Sequence, residues 1–208
     1  MPASVPTPSL PLSDSPHICV FCGSSRGSRP AYSEAARQTG SALARHGLGL
    51  VYGGGRVGLM GIVADATLAH GGRVVGIIPD PLATKEIAHS GLTELIVVAG
   101  MHERKALMAS RSSGFLVLPG GMGTYEEFFE ILTWAGLGLH RKPIGVLNIE
   151  GYFDPLLALL HHAVAERFVR ANHLELIVVS DQPDALVPDL LTRTPPSPGP
   201  KWIDLEET

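Results

Sequence analysis

Short apolar runs alternate with helix-patterned segments along nearly the whole of this 208-residue chain. The strand candidates are 18–22, 48–52, 74–78, 94–98, 115–118, 144–148 and 176–179. The helix candidates are 30–46, 58–70, 101–112, 124–137, 153–165 and 183–191. The strand runs are continuously apolar rather than alternating, as expected when both faces of a sheet are covered. Repeated strand–helix units demand right-handed crossovers and a parallel sheet. The sequence therefore predicts a doubly wound α/β fold, with about seven mainly parallel strands and helices on both faces. One domain is expected over 17–192, between a disordered Pro/Ser-rich tail at 1–16 and a Pro-rich C-terminal tail at 193–208.

In such folds ligands sit beyond the carboxyl ends of the strands, where strand order reverses. Three glycine-rich strand exits are candidates to meet there: Gly23-Ser24-Ser25, Gly53-Gly54-Gly55 and Gly120-Gly121-Met122-Gly123. The third is the most informative. An apolar run stops at Pro119, two glycines follow, and a helical pattern starts at once with Thr124. A turn of this kind presents bare backbone N–H groups to an anion, and the helix dipole adds positive charge. A phosphate-bearing ligand is the expected occupant. Tight turns need glycine anyway, so any one of the three taken alone signals little.

Composition narrows the ligand. A hydrophobic content of 45% with 17% charged residues is globular, and a formal charge of −4 supplies no basic stripe for a nucleic acid polymer. A nucleotide as a small ligand fits better. No apolar run reaches membrane-span length, and residues 1–16 lack the basic-then-apolar order of a secretion signal, so a cytoplasmic protein without membrane attachment is expected. The turn at Gly23 is not G-x-G-x-x-G, and no G-x-x-x-x-G-K-[ST] occurs, which argues against hydride transfer and ATP hydrolysis. Pyridoxal-phosphate chemistry needs a Schiff-base lysine, and the chain offers only Lys85, Lys105, Lys142 and Lys201. Cys19 and Cys22 form a C-x-x-C inside a strand pattern, without a second pair to complete a zinc site, and read as small buried hydrophobes. His161 and His162 are adjacent on a helix pattern, so they diverge and make a poor metal site.

Three segments carry a family resemblance. They are Gly53-Gly54-Gly55-Arg56-Val57-Gly58-Leu59-Met60-Gly61, Met101-His102-Glu103-Arg104-Lys105, and the P-G-G-x-G-T-x-x-E run from Pro119 to Glu127. Together they resemble the Lonely Guy (LOG) family of cytokinin-activating phosphoribohydrolases, whose members are often labelled "lysine decarboxylase". Thr133-Trp134, His140-Arg141-Lys142-Pro143 and Gly151-Tyr152-Phe153 are similar to further family segments, and the likeness spans about 18–191. The resemblance implies a modified Rossmann fold, a homodimer, and no metal or redox cofactor. It implies hydrolysis of the N-glycosidic bond of a nucleoside 5′-monophosphate, to free base and ribose 5-phosphate. It assigns nucleotide binding to Glu86, Arg104, Lys105, Gly121, Met122, Gly123, Thr124, Tyr125, Glu126, Glu127 and Thr133, with Arg104 and Glu127 as the catalytic pair. Gly23, Ser24, Gly53, Gly54 and Gly55 are expected to form supporting loops. Three departures stand out: Ser113-Gly114 where the family usually has Asp-Ala, Gly136 where Gln is common, and Arg167 where Gly is usual. The first two flank the expected site elements and bear on base preference more than on reaction type.

The residues admit bland readings beside these. Glu127 borders the apolar stripe of Phe128, Ile131, Leu132 and Ala135, where a carboxylate can be aimed at ribose hydroxyls, at an attacking water, or at both. Alternatively it is a helix-start acid favoured by the dipole. Glu126 and Glu130 form a separate, wetter i,i+4 pair. Arg104 shares a stripe with Met101 and Met108 and could fork onto a carboxylate or phosphate, or close a surface ion pair. Lys105 points about 100° away and suits a phosphate or sugar contact, or solvent. Thr124 is a candidate helix cap or phosphate ligand. Glu86, in a stretch over 80–91 expected to be irregular, could meet an exocyclic amine of the base, or be a solvated loop residue. The alternative to an enzyme is a non-catalytic binder of a nucleotide or phosphorylated cofactor, like molybdenum-cofactor carriers. A scaffold protein would leave the glycine turns unexplained.

Overall fold

The computed structural model describes residues 15–83 and 88–196. Among these, the strands are β1 (His17–Phe21), β2 (Gly49–Tyr52), β3 (Val74–Pro79), β4 (Glu94–Val98), β5 (Gly114–Val117), β6 (Ile144–Leu147) and β7 (Ile177–Ser180). They lie in one sheet in the order β4-β3-β2-β1-β5-β6-β7. Every pairing is parallel. The helices are α1 (Pro30–Arg45), α2 (Gly58–Ala69), α3 (Asp80–Ala83), α4 (Met101–Ser110), α5 (Met122–Gly136), α6 (Asp154–Ala165), α7 (Ala171–Leu174) and α8 (Pro183–Thr192).

The continuous apolar strands have the expected cause. In β1, Ile18 and Val20 face a core built with Leu43 of α1, Val63 of α2 and Val187 of α8. The intervening Cys19 and Phe21 face a second core with Met108 of α4, Phe128 of α5 and Leu160 of α6. Both faces are dry, so polar alternation has no place. Phe21 stacks near Phe115 across the β1–β5 seam, with centroids 6.0 Å apart. Cys19 and Cys22 are free and buried, and burial pushes both thiols well above their ordinary range.

Two elements depart from the sequence expectation. The stretch 80–91 is not irregular throughout, because α3 occupies its start, and α7 forms between α6 and β7. Each is one turn of four residues, too short to carry a periodic signal. The tails at 1–14 and 197–208 and the segment 84–87 lie outside the described residues. Among the described residues no helix is long and apolar enough to cross a membrane.

Candidate active site

The chain runs outward from β1 through β2, β3 and β4, then returns to set β5 on the other side of β1. Strand order therefore reverses between β1 and β5, and their carboxyl ends open the crevice that doubly wound folds use for ligands. The Gly23 N–H, just after β1, donates to the Pro119 carbonyl at 3.0 Å, and the Gly23 carbonyl accepts from Leu59 N–H at 2.9 Å. The first and third glycine turns are thereby joined, with the start of α2 docked onto them. A cavity of about 270 Å³ lies there, walled by Ser24, Ser25, Tyr32, Leu59, Gly120 and Tyr152 among others.

At the third turn, Gly121 is extended and caps α5 without any side-chain hydrogen bond. The first N–H groups of a helix have no partner within it. Gly121, Met122 and Gly123 are all exposed, Met122 at 83%. The start of α5 is thus open to an anion. Thr124 is not the cap. The helix begins two residues earlier than predicted, so Thr124 lies inside its first turn, buried against Gly120. A Cβ on Gly120 would come within 2.1 Å of Thr124 Oγ1 and 2.8 Å of Gly23 N, so no other residue fits at this crossing.

Glu127 and Phe128 are carried onto the buried face of α5. Arg104 on α4 reaches Glu127, with Nη1 3.4 Å from Oε1, and the two side chains are only 12% and 10% exposed. Arg104 Nε donates to the Ile77 carbonyl at 3.2 Å, and Nη1 lies 3.8 Å from Met101 Sδ, the neighbour expected from the shared stripe. The guanidinium fits because position 53 is glycine: a Cβ there would lie 2.1 Å from Nη2. The second glycine turn therefore contributes by making room. Gly54 accepts from the His89 N–H at 2.9 Å, and Gly55 bridges Ala88, which ties down the chain after the segment 84–87.

Burial pushes the Glu127 carboxyl up to about 7, against the opposing pull of Arg104. Glu126 and Glu130 add to the rise, while Lys105 opposes it. The dipole-favoured reading of Glu127 does not hold. A carboxylate stabilised by a helix start would be lowered, and Glu127 lies in the second turn, where the dipole has faded. A group near 7 exchanges its proton readily at neutral pH, which suits an acid–base role.

Other expectations fall differently. Lys105 Nζ pairs with Glu126, and lies 3.0 Å from Glu130, with its own side chain 10% exposed. It bridges α4 to α5, and Glu126 stays exposed, as expected, while it pairs with Lys105. Tyr125 directs its hydroxyl to that of Tyr152, 2.9 Å away. Thr133 is exposed and lines a separate apolar groove of about 340 Å³ with Phe129, Leu137, Leu160 and Phe168. Six residues beyond Glu127, it lies about 120° round the helix, so this chain does not bring it to the Arg104–Glu127 pair. Glu86 lies outside the described residues. His140 is structural, with Nε2 2.9 Å from the Ile131 carbonyl. Of the departures, Gly114 begins β5 at the end remote from the crevice, so it does not flank the site. Gly136 lines the apolar groove, and Arg167 holds a left-handed φ of 63°. Sequence reasoning passed over Tyr152 as a site element, although its Gly-Tyr-Phe segment carried the signal.

A doubly wound α/β domain, with an open glycine-rich helix start beside a buried arginine–carboxylate pair, defines a Rossmann-like protein fitted to hold an anionic ligand near an acid–base group. The chain belongs to the LOG family. Residues 60–190 match the family model described as "Possible lysine decarboxylase". The chain is 50% identical over 161 residues to the probable cytokinin riboside 5'-monophosphate phosphoribohydrolase LOGL1 of Oryza sativa subsp. japonica, covering 77% of this chain and 72% of that protein. It is 49% identical over 174 residues to the cytokinin riboside 5'-monophosphate phosphoribohydrolase LOG7 of Arabidopsis thaliana, covering 83% and 80%. Among solved structures, the molybdenum cofactor binding protein from Rippkaea orientalis shares the fold, with a TM-score of 0.65 at 22% identity, over 86% of this chain and 98% of that one.

Proposed function

We propose that this protein hydrolyses the N-glycosidic bond of a nucleoside 5′-monophosphate, a cytokinin riboside 5′-monophosphate or AMP. Water adds at C1′ of the ribose, and the base leaves with a proton. The observation that carries the reading is the buried Arg104–Glu127 pair beside the open start of α5. The relatives of known name act on cytokinin riboside 5′-monophosphates.

The phosphate sits on the N–H groups of Gly121, Met122, Gly123 and Thr124, where no side chain competes. Glu127, as carboxylate, meets the ribose hydroxyls or takes the proton of the attacking water. It also faces an oxocarbenium-like transition state, which negative charge stabilises. Arg104 holds Glu127 in place and supports departure of the base. Decarboxylation, as the family description has it, finds no support in the described lysines. Lys105 is held by two carboxylates, and Lys142 donates to the Ala109 carbonyl at 2.6 Å. The exposed apolar surface of Phe129, Leu137 and Phe168, the last at 88%, supports a homodimer formed through the α5–α6 face. Light scattering of the purified protein tests the dimer; a monomer at micromolar concentration refutes it.

The test of activity is product chromatography after incubation with AMP or isopentenyladenosine 5′-monophosphate, with each phosphate-free nucleoside as control. Release of free base from a monophosphate alone is expected, and the ratio of rates names the preferred base. Binding without base release overturns the hydrolase and leaves the non-catalytic binder.

A further inference from the structure

Two tyrosines stand behind the glycine turn. Tyr152 donates its hydroxyl proton to the Gly120 carbonyl. That proton is then committed, so the hydrogen bond to Tyr125 is one in which Tyr125 donates and Tyr152 accepts, at 2.9 Å. The result is a chain from Tyr125 through Tyr152 to the Gly120 carbonyl, in which each bond polarises the next. Burial pushes the Tyr152 phenol up to about 12, so it remains a donor across the neutral range.

The rings are fixed as firmly as the hydroxyls. Tyr152 packs edge-on against Tyr32 at 5.6 Å and against Phe153 at 4.9 Å. The backbone reaches Tyr152 through two left-handed residues, Glu150 at φ 50° and Gly151 at φ 72°. A non-glycine residue holds that conformation only where its surroundings enforce it. Here Arg29 grips Glu150, with Nη1 2.9 Å from Oε2, and Asn148 Oδ1 accepts from the Phe153 N–H at 2.7 Å.

We propose that Tyr152, backed by Tyr125, is a positioning residue that locks the Gly120–Gly121 peptide with its N–H aimed at the substrate phosphate. The physical reason lies in the peptide itself. In a trans peptide the carbonyl and the N–H point in opposite directions. Holding the Gly120 oxygen on Tyr152 therefore fixes the Gly121 N–H on the opposite side. Two successive glycines otherwise rotate freely, and a flipped peptide would turn a carbonyl toward the anion. Packing against Thr124 and Gly23 holds the Gly120 end of this peptide, but Gly121 has no atom within 4 Å of where its Cβ would be, so packing leaves its orientation to the Tyr152 hydrogen bond. Tyr125 thus acts behind the loop, as a support and not as a ligand contact. The inference deepens the phosphoribohydrolase reading and rests on it for the identity of the anion.

The experiment compares wild type with Tyr152→Phe and Tyr125→Phe, which keep the rings and remove single hydroxyls. Calorimetry gives Kd for AMP and for adenosine, and steady-state assays give kcat and KM. For Tyr152→Phe, Kd and KM for AMP should rise about 3- to 10-fold, the equivalent of one net hydrogen bond, with kcat and adenosine binding unchanged. Tyr125→Phe should show the same pattern at about 2-fold, because it weakens the chain at one remove. Unchanged AMP affinity in Tyr152→Phe, or equal weakening for AMP and adenosine, overturns the proposal. Should Tyr152→Phe fail to fold, an unchanged AMP affinity in Tyr125→Phe does so instead. If wild type binds AMP without releasing adenine, the hydrolase reading falls, while the Kd comparison still decides the role of Tyr152.

Discussion

Replacing Glu127 by Gln should abolish base release and, at the same time, make the protein more stable at alkaline pH. In the unfolded chain this carboxyl titrates near its ordinary 4.5, whereas in the folded protein burial raises it to about 7. Between those values the native state holds a proton that the unfolded state has lost, so stability falls as pH rises through the interval. Above about 7 the folded protein carries an ionised, buried carboxylate whose attraction to Arg104 does not offset its desolvation. The interval of about 2.5 pH units, at about 1.4 kcal/mol per unit, corresponds to roughly 3 kcal/mol. Glutamine keeps the shape and an oxygen for Arg104, but never ionises. Urea titrations at pH 5 and pH 8 measure the difference. The variant should gain little at pH 5 and roughly 3 kcal/mol at pH 8, or roughly 6–12 °C in Tm for a chain of this size. A variant less stable than wild type at pH 8 would mean that the ion pair is net stabilising. That outcome, or a difference independent of pH, would refute the reasoning. An active-site group that weakens the fold it sits in is a common exchange of stability for function.

Three further outcomes follow from the same geometry. Gly53→Ala should displace the Arg104 guanidinium, which lies 2.1 Å from the added Cβ, and lower kcat on the order of 100-fold with circular dichroism unchanged; near-wild-type turnover would show that Arg104 need not stand where it does. Lys105→Gln removes a charge that lowers the Glu127 carboxyl, so the acid limb of the pH–rate profile, near 7 in wild type, should move to higher pH; a limb that stays still would separate Lys105 from Glu127. Arg167 closes α6 in a Schellman turn, with Phe168 N–H on the Ala163 carbonyl at 2.9 Å and Arg167 N–H on the Val164 carbonyl at 3.0 Å. Its left-handed backbone suits glycine, so Arg167→Gly should stabilise by about 1 kcal/mol in urea titration; a loss of stability would show that the arginine side chain contributes more than its backbone conformation costs.

The legibility of this chain varied with the length scale of the interaction. Strand and helix patterns were plain because both sheet faces are buried, which writes a continuous apolar run into every central strand. The glycine turns were visible because backbone crossings such as Gly120 against Thr124 admit no Cβ. The short α3 and α7 were not visible, since four residues hold no period. The start of α5 lies two residues ahead of the sequence expectation because its N-cap, Gly121, has no capping side chain to mark a helix start in sequence. The pairing of Lys105 with Glu126 and Glu130 leaves no local mark, because these partners lie on another helix, 21 and 25 positions along the chain.

By itself, the sequence determined the α/β class and the glycine turns at three strand exits, since each leaves a local mark, apolar runs and missing side chains; Arg104 and Glu127 became the candidate pair through the family resemblance of their motifs. Only the tertiary structure decided which side chains meet. It joined Arg104 to Glu127 in a dry setting, turned Lys105 and Tyr125 toward supporting partners, and set Thr133 on another face. It also raised the Glu127 carboxyl toward neutrality. Those outcomes depend on burial and on contacts between distant segments, which are properties of the folded chain and not of any short stretch of it.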